Sequence, residues 1–153
     1  MNFEIFESMI MQFLEKARTG ILATCDSSGA HARSMSIVND GWNIYFQSNI
    51  FYDKHKEMQY KNKVALCINE VTFEGTIRVM GNWNNKDLDA IKEKYIAKHA
   101  KSYNAYGALQ GQLVYCIEVN KVKTWRYSKE GVAFREECLP DIKYYKRMGI
   151  NND

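Results

Sequence analysis

The fold is decided by residues 30–48, which run AHARSMSIV, NDG and WNIYFQS in succession. In the first run Arg33, Met35 and Ile37 fall on one face of a strand, while the serines between them fall on the other. The NDG that follows is a strong hairpin turn sequence. The third run is rich in aromatic residues and predicts the returning strand. We therefore expect an antiparallel hairpin in this part of the chain.

Outward from this hairpin, apolar spacing predicts three helices and about seven short strands. The helices are expected over residues 3–18, 52–60 and 86–99, and Gly20 is expected to end the first. The other strands are expected over residues 20–25, 64–68, 76–83, 112–119, 122–127 and 132–135. Residues 101–111 are predicted to form a loop, and the C-terminal tail over residues 136–153 shows no periodic pattern.

The short connections favour antiparallel pairing, because parallel strands need long crossovers and three helices are too few to supply them. The sequence therefore predicts a mainly β fold, a closed or half-closed antiparallel barrel with peripheral α-helices, in one domain over residues 1–153.

Composition excludes several classes of protein. Hydrophobic residues make up 46% of the 153, which is enough for a packed core and argues against disorder. The net charge of +3 is too small by itself to imply a nucleic-acid partner. No apolar run is long enough to cross a bilayer, and no secretory signal is evident. The four cysteines are widely spaced, without metal-binding spacing. We therefore expect a cytoplasmic protein with no membrane partner and no metal site.

Two segments carry the polar groups that could bind a phosphate. RSMSI at residues 33–37 places a cation and hydroxyl groups among apolar residues. YFQSN at residues 45–49 ends a strand in amide and hydroxyl groups, shortly before Asp53 and Lys54 begin a helix. Hydroxyl donors, a helix start and a cation together suit a phosphate. An ordinary strand end beside a solvated basic helix is the alternative. No catalytic triad is visible, and His31, His55 and His99 each stand alone.

The order of these segments resembles the pyridoxamine 5'-phosphate oxidase-like family of FMN-binding split barrels. The resemblance covers roughly residues 3–127. It is carried by the opening helix, ILAT at residues 21–24, the Gly29 turn, SMS at 34–36, YF at 45–46, Lys54, KVAL at 63–66 and RVMG at 78–81. It implies a six-stranded antiparallel split barrel that forms a homodimer with FMN at the subunit interface.

The resemblance also implies site residues, position by position. Arg33 matches an arginine that reaches the FMN phosphate, and Lys54 matches a lysine of the phosphate clamp. Ser34, Met35 and Ser36 would pass along the flavin. Gln47 and Ser48 match a Tyr-Thr pair after the third strand. The remaining expected contacts are Trp125, Arg135 and either Gln110 or Gln112, the glutamine being contributed by the second subunit.

Departures from the family pattern affect the expected cofactor and the expected substrate differently. Asp53 stands where the clamp has an arginine, and Val38 replaces a lysine that contacts the substrate. Residues 131–134 lack the cation and imidazole that grip the vitamin phosphate in the true oxidase. The pattern therefore supports FMN binding more than oxidation of pyridoxamine 5'-phosphate.

Three functions stay open. The first is an FMN-dependent oxidoreductase that acts on an unknown small molecule, with an electron donor such as NAD(P)H. The second is a flavin- or haem-binding stress protein without turnover. The third is a single-stranded nucleic-acid-binding barrel, which the basic, tyrosine-rich tail keeps in consideration.

Overall fold

The computed structural model describes residues 1–149, within which nine β-strands and three α-helices form. The helices are α1 (Phe3–Lys16), α2 (Asp53–Tyr60) and α3 (Asp89–Tyr106). The strands are β1 (Thr19–Asp26), β2 (Gly29–Ser36), β3 (Val38–Asp40), β4 (Asn43–Asn49), β5 (Lys63–Ile68), β6 (Val71–Val79), β7 (Gln112–Tyr127), β8 (Ala133–Leu139) and β9 (Tyr144–Gly149). None of these helices is long and apolar enough to cross a bilayer.

All strand pairs are antiparallel, as the short connections predict. The hydrogen-bonded order is β2-β1-β5-β6-β7-β4-β3, and β8 and β9 extend from β7. Within residues 1–149, no ladder joins the two end strands β2 and β3 to each other. The expected mainly β fold with peripheral helices is confirmed, but the expected strand count of six is wrong. The additional strands include the three-residue β3 and the β8–β9 hairpin of the tail.

Helix α1 forms where the apolar stripe predicts it. The Asn2 side chain caps it by accepting a hydrogen bond from the Ile5 N–H at 3.0 Å. Its buried face consists of Phe3, Phe6, Ile10 and Leu14. The helix ends at Lys16, because Ala17 takes an extended conformation, and Gly20 lies inside β1.

The core has two parts. The larger part lies between α1 and the inward faces of β1, β4, β5, β6 and β7. The smaller part lies under α3, where Trp83, Leu88, Ile91 and Tyr95 pack against residues of β3, β4 and β7. This second core holds α3 on the sheet, since helix stability in proteins comes mainly from tertiary packing.

The predicted loop over residues 101–111 is wrong for its first half, because α3 continues to Tyr106. The helix kinks at His99, whose φ of −134° and ψ of 48° are not helical. His99 is buried, and its Nε2 lies 2.8 Å from the carbonyl oxygen of Ile37. The kink therefore coincides with a buried contact between α3 and the residue that separates β2 from β3.

The C-terminal tail is also more ordered than its sequence pattern indicates. Its inward positions in β8 alternate as Phe134, Glu136 and Cys138, and the middle one is a carboxylate. Glu136 is 1% exposed and accepts hydrogen bonds from Thr124, Arg126 and Tyr145 at 2.6–2.8 Å. A carboxylate with all its hydrogen bonds satisfied can occupy a core position. Because this core position is charged, the alternation of apolar and polar residues that marks a strand is not visible in the sequence.

The two strands predicted over residues 112–119 and 122–127 are one strand, β7. Its partner β6 begins at Val71 rather than at residue 76, and the register between them shifts at Glu74 and Gly75. A Cβ on Gly75 would lie 2.3 Å from the Glu118 carbonyl oxygen. Glycine is therefore required for the two strands to approach at the bulge.

We expect Gly75→Ala to lower the free energy of unfolding by about 2 kcal/mol or more, because the added methyl group overlaps backbone that cannot move freely. Urea denaturation measures the change. Gly41→Asn is the matched control: its φ is 55°, which asparagine tolerates, and no atom lies within 4 Å of an added Cβ. Equal stability of the Gly75→Ala variant and wild type would contradict the close approach.

Candidate functional site

A cavity of about 290 Å³ opens between β2, β4, α2 and the last turns of α3. We call it the β2–β4 cavity. Polar side chains dominate its wall. It is lined by Ser34, Met35, Gln47, Ser48, Tyr52, Lys54, Ser102, Tyr106 and Gln112.

The structure brings half of the predicted site residues together in this cavity. They come from three separate elements: Ser34 and Met35 from β2, Gln47 and Ser48 from β4, and Lys54 from α2. Of the two alternative glutamines, Gln112 lines the cavity.

Strand β4 holds its polar end in a buried position. Gln47 and Ser48 pair with Val114 and Leu113 of β7 and are 6% and 3% exposed. The Gln47 amide is fully used, since Nε2 donates to the Ser102 backbone carbonyl and hydroxyl at 3.0 Å and Oε1 accepts from Trp83 at 2.9 Å. Among the described residues, the Ser48 hydroxyl finds no hydrogen-bond partner. A buried hydroxyl without a protein partner is costly, so the Ser48 hydroxyl needs a hydrogen-bond partner from the cavity, which a ligand or a water can supply.

Helix α2 supplies the positive charge. It begins beside the cavity, and the Lys54 ammonium lies 4.5 Å from the centroid of the Tyr52 ring. Burial, followed by the charge of Arg33, lowers the pKa of Lys54 from its ordinary value. Asp53, the departure from the family pattern, is exposed and does not line the cavity. Its charge therefore does not oppose an anion there directly.

Arg33 is engaged outside the cavity wall. Its guanidinium lies 2.5 Å from a carboxylate oxygen of Glu57 and donates to the Thr24 hydroxyl at 2.8 Å. Glu57 is 4% exposed and also accepts from Thr24. This ion pair joins α2 to β1 and β2. The predicted contact between Arg33 and a phosphate stays a prediction, and any such contact would compete with Glu57.

Glu57 also faces an imidazole. Burial acts to raise its pKa, but hydrogen bonds from Thr24 and Arg33 and the charge of Arg33 outweigh that effect and lower the pKa. His31 lies 3.8 Å from Glu57 through Nδ1 and 3.0 Å from Asp26 through Nε2. Asp26, His31 and Glu57 therefore lie close together, and all three are residue types that can bind a metal ion. Their clustering is accounted for by the cationic and hydrogen-bonding partners of the two carboxylates.

The other predicted residues lie elsewhere. Ser36 and Gln110 do not line the β2–β4 cavity, and Gln110 is exposed on the turn before β7. Trp125 and Arg135 face each other across the β7–β8 ladder. Trp125 is 47% exposed and forms an edge-on pair with Tyr127, with ring centroids 5.2 Å apart. Within one chain they form a second group, separate from the cavity.

Comparison with known proteins matches this arrangement to one family. The family model for pyridoxamine 5'-phosphate oxidase matches residues 6–126. The chain belongs to the pyridoxamine 5'-phosphate oxidase family. A search of curated protein sequences found no significant match.

Several solved structures share the fold at low sequence identity. A pyridoxamine 5'-phosphate oxidase-related, FMN-binding protein from Nostoc punctiforme PCC 73102 superposes with a TM-score of 0.64 and 13% identity, covering 95% of this chain and 96% of its own. HutZ, the haem storage protein of Vibrio cholerae, gives 0.63 and 12%, covering 74% and 89%. An FAD-binding protein from Mesorhizobium loti gives 0.62 and 13%, covering 75% and 88%. The shared fold thus carries more than one kind of cofactor.

Three cavity residues were missed by the sequence analysis: Tyr52, Ser102 and Tyr106. Tyr52 precedes a short helix and carries no pattern of its own. Ser102 and Tyr106 lie on the part of α3 that was predicted to be a loop. Ser102 and Tyr106 are four residues apart, and they follow Ile91, Tyr95 and His99 at helical spacing. This spacing is the feature of the sequence that indicates a longer helix.

We expect Glu57→Ala to lower the free energy of unfolding by about 2–3 kcal/mol, because it leaves the Arg33 charge partly buried and unpaired. Glu74→Ala is the matched control, since Glu74 forms an exposed ion pair with Lys123 and its loss costs less than about 1 kcal/mol. Chemical denaturation of both variants measures the difference. Equal losses would show that the Arg33–Glu57 pair does not fasten α2.

Proposed function

We propose that the protein binds FMN in the β2–β4 cavity and uses it as an oxidoreductase acting on a small molecule. The observation that carries the proposal is the buried Ser48 hydroxyl, which has no partner among the described residues and lines the same cavity as the Lys54 ammonium. A phosphate oxygen would accept the hydroxyl hydrogen bond, and the ammonium would balance the phosphate charge. The family membership and the FMN-binding relative from Nostoc support the choice of cofactor.

The start of α2 favours the phosphate end of FMN at Lys54. The N-terminus of a helix carries partial positive charge, and Tyr52 and Lys54 flank the first turn of α2. Burial opposes the charged form of Lys54, and an anion beside it would compensate for that loss of hydration. Arg33 would reach the same anion only by sharing its guanidinium with Glu57.

The remaining wall would orient the ring system. FMN, when bound, supplies hydride or electron transfer. Ser34 and Met35 on β2 form one side, and Met35 also packs against the larger core, which limits its movement. Ser102 and Tyr106 on α3 form the other side. Because Gln47 of β4 holds Ser102 with two hydrogen bonds, the α3 side of the cavity is fixed to the sheet, which favours a preorganised site.

Pyridoxamine 5'-phosphate is not favoured as the substrate. Val38, which stands at the position of the family's substrate lysine, is 3% exposed and packs in the smaller core. Residues 131–134 offer no cation or imidazole for a second phosphate. The proposed substrate is therefore a small molecule other than pyridoxamine 5'-phosphate. NAD(P)H is one candidate for the electron donor.

We also propose that two copies form a homodimer in which each completes the other's site. Trp125 and Arg135 are adjacent on the sheet but do not line the cavity of their own chain. An exposed tryptophan beside an arginine suits stacking on a flavin and contact with its polar edge. A partner chain would bring this pair to the cavity.

Haem is the second candidate cofactor, because relatives of this fold bear haem-related names. The histidines favour FMN instead. None of His31, His55 and His99 lines the β2–β4 cavity, and each has a ring nitrogen that contacts a protein group. The visible spectrum of the purified protein distinguishes the two, since FMN gives two yellow bands and haem gives a Soret band.

We expect Lys54→Met to weaken FMN binding about tenfold or more, because the phosphate loses a charged partner. Riboflavin, which lacks the phosphate, should bind wild type and variant equally. Fluorescence titration of both flavins measures the affinities. Lys56→Met, on the exposed side of the same helix, is the control and should change neither. A parallel loss of riboflavin affinity in Lys54→Met would contradict a phosphate contact.

For the dimer, we expect sedimentation equilibrium to give twice the chain mass. Trp125→Ala should weaken FMN binding while leaving the protein folded, because the residue is exposed and contributes to the site of the partner. Val132→Ala, at an exposed position in the turn before β8, is the control. If the protein sediments as a monomer and still binds FMN tightly, a site completed by the partner chain is ruled out.

A further inference from the structure

We infer that the protein has a second binding site, next to the β2–β4 cavity, for a neutral planar ring that carries a carboxamide or carbonyl group. The site is a cavity of about 330 Å³ between the loop that precedes α3 and the turn that joins α3 to β7. We call it the amide cavity. Its polar and aromatic side chains are those of Asn82, Trp83, Asn84, Tyr103, Gln110 and Gln112.

The lining determines the kind of ligand. Within residues 1–149, no charged side chain lines the amide cavity, although the Lys92 ammonium lies 5.9 Å from the centroid of the Tyr103 ring. A charged ligand would therefore lose hydration without gaining a counter-charge in the wall. Side-chain amides both donate and accept hydrogen bonds, which matches the two edges of a carboxamide. The rings of Trp83 and Tyr103, with centroids 6.1 Å apart, add aromatic surface for a flat molecule.

The wall on the side of the loop is held in place by its own hydrogen bonds. The Asn85 side chain donates to the Met80 carbonyl at 2.8 Å, and Asn84 N–H donates to the Asn82 side chain at 2.9 Å. The Gly81 carbonyl accepts from Val114 of β7 at 2.7 Å. The loop is thereby tied to the sheet, so the cavity is formed before any ligand arrives.

The opposite wall is equally fixed. The Asn49 side chain donates to the Gln110 carbonyl at 2.9 Å and to the Gln112 side chain at 3.3 Å. Gly111 takes a φ of +79°, and a Cβ there would lie 2.9 Å from Ile50. The turn is thus packed against the end of β4. Among the described residues, the side-chain amides of Asn84 and Gln110 have no protein partner and can bind a ligand.

Two residues connect the β2–β4 cavity with the amide cavity. Gln112 lines both of them. Gln47 lines the β2–β4 cavity and accepts the hydrogen bond of Trp83, which lines the amide cavity. If FMN occupies the β2–β4 cavity, a ring in the amide cavity would lie beside it as the reaction partner. In that respect the inference rests on the proposed function.

The test uses nicotinamide and nicotinate, which have the same shape and differ in charge. Ligand-observed NMR titration of the purified wild-type protein should show nicotinamide binding about tenfold more tightly than nicotinate. Asn84→Lys places a cation at the wall and should reverse this preference. Asn104→Lys is the matched control, because Asn104 is exposed on α3 and lines neither cavity. It should keep the wild-type preference.

FMN titration of the same three proteins separates the two sites. Equal FMN affinity in Asn84→Lys and Asn104→Lys supports a distinct second site. The inference is overturned if wild type does not prefer nicotinamide, if Asn84→Lys behaves like its control, or if FMN affinity changes in Asn84→Lys alone. A wild-type protein that shows the nicotinamide preference but binds no FMN would remove the proposed function and leave the second site standing.

Discussion

The side-chain amide of Gln47 is the interaction on which the architecture of both cavities depends. It lies at the buried end of β4, accepts from Trp83 and donates to the backbone and hydroxyl of Ser102. A buried amide must have its hydrogen bonds satisfied, so the loop before α3 and the last turns of α3 are both fixed relative to the sheet. Other polar contacts hold the middle of α3, including those of Lys98 with the Ala17 carbonyl and of His99 with the Ile37 carbonyl, whereas Gln47 holds the helix beyond its kink, at Ser102. Gln47 thereby links the two cavities, since its amide is bonded to a wall residue of each, Trp83 and Ser102.

The charges around α2 form a second constraint, which acts on the phosphate end of the site. Glu57 is buried, keeps Arg33 as its partner and lies close enough to Lys54 to affect its titration. An arginine that is already paired inside the protein costs less to keep desolvated than a free one. It is also less available to an incoming anion. Under the proposed function, Lys54 and neutral donors such as Ser48 would therefore make most of the phosphate contacts, and the site carries less available positive charge than the family pattern implies.

Local patterns in the sequence predicted the elements that bury a regular apolar stripe. Helix α1 was found because its apolar period is unbroken. The turn at Gly41 does join two paired strands, but the predicted hairpin is wrong for most of its first strand, because β2 pairs with β1 and only Val38–Asp40 pairs with β4. The end of α3 was missed because its half-buried positions, Ser102 and Tyr103, are polar or aromatic. The tail was missed because Glu136 occupies a core position. The site shows the same limit. Its residues on β2, β4 and α2 followed from the ordered resemblance, whereas the Arg33–Glu57 pair spans 24 positions and depends on how α2 packs. Such a contact has no local pattern to reveal it.

Under the proposed function and the inferred second site, the two cavities would separate the binding of a cofactor from the binding of a reactant. One wall contains an ammonium and an unpaired hydroxyl, which favour an anionic group. The other contains amides and aromatic rings, which favour a neutral one. Gln112 belongs to both, and its side-chain Oε1 accepts a hydrogen bond from the Asn49 side chain, which limits its movement toward a ligand. A fixed partition between two electrostatic environments would disfavour a phosphate group inside the neutral cavity, since the group would find no counter-charge in its wall. Selectivity would then arise from the absence of charge in one place as much as from its presence in the other.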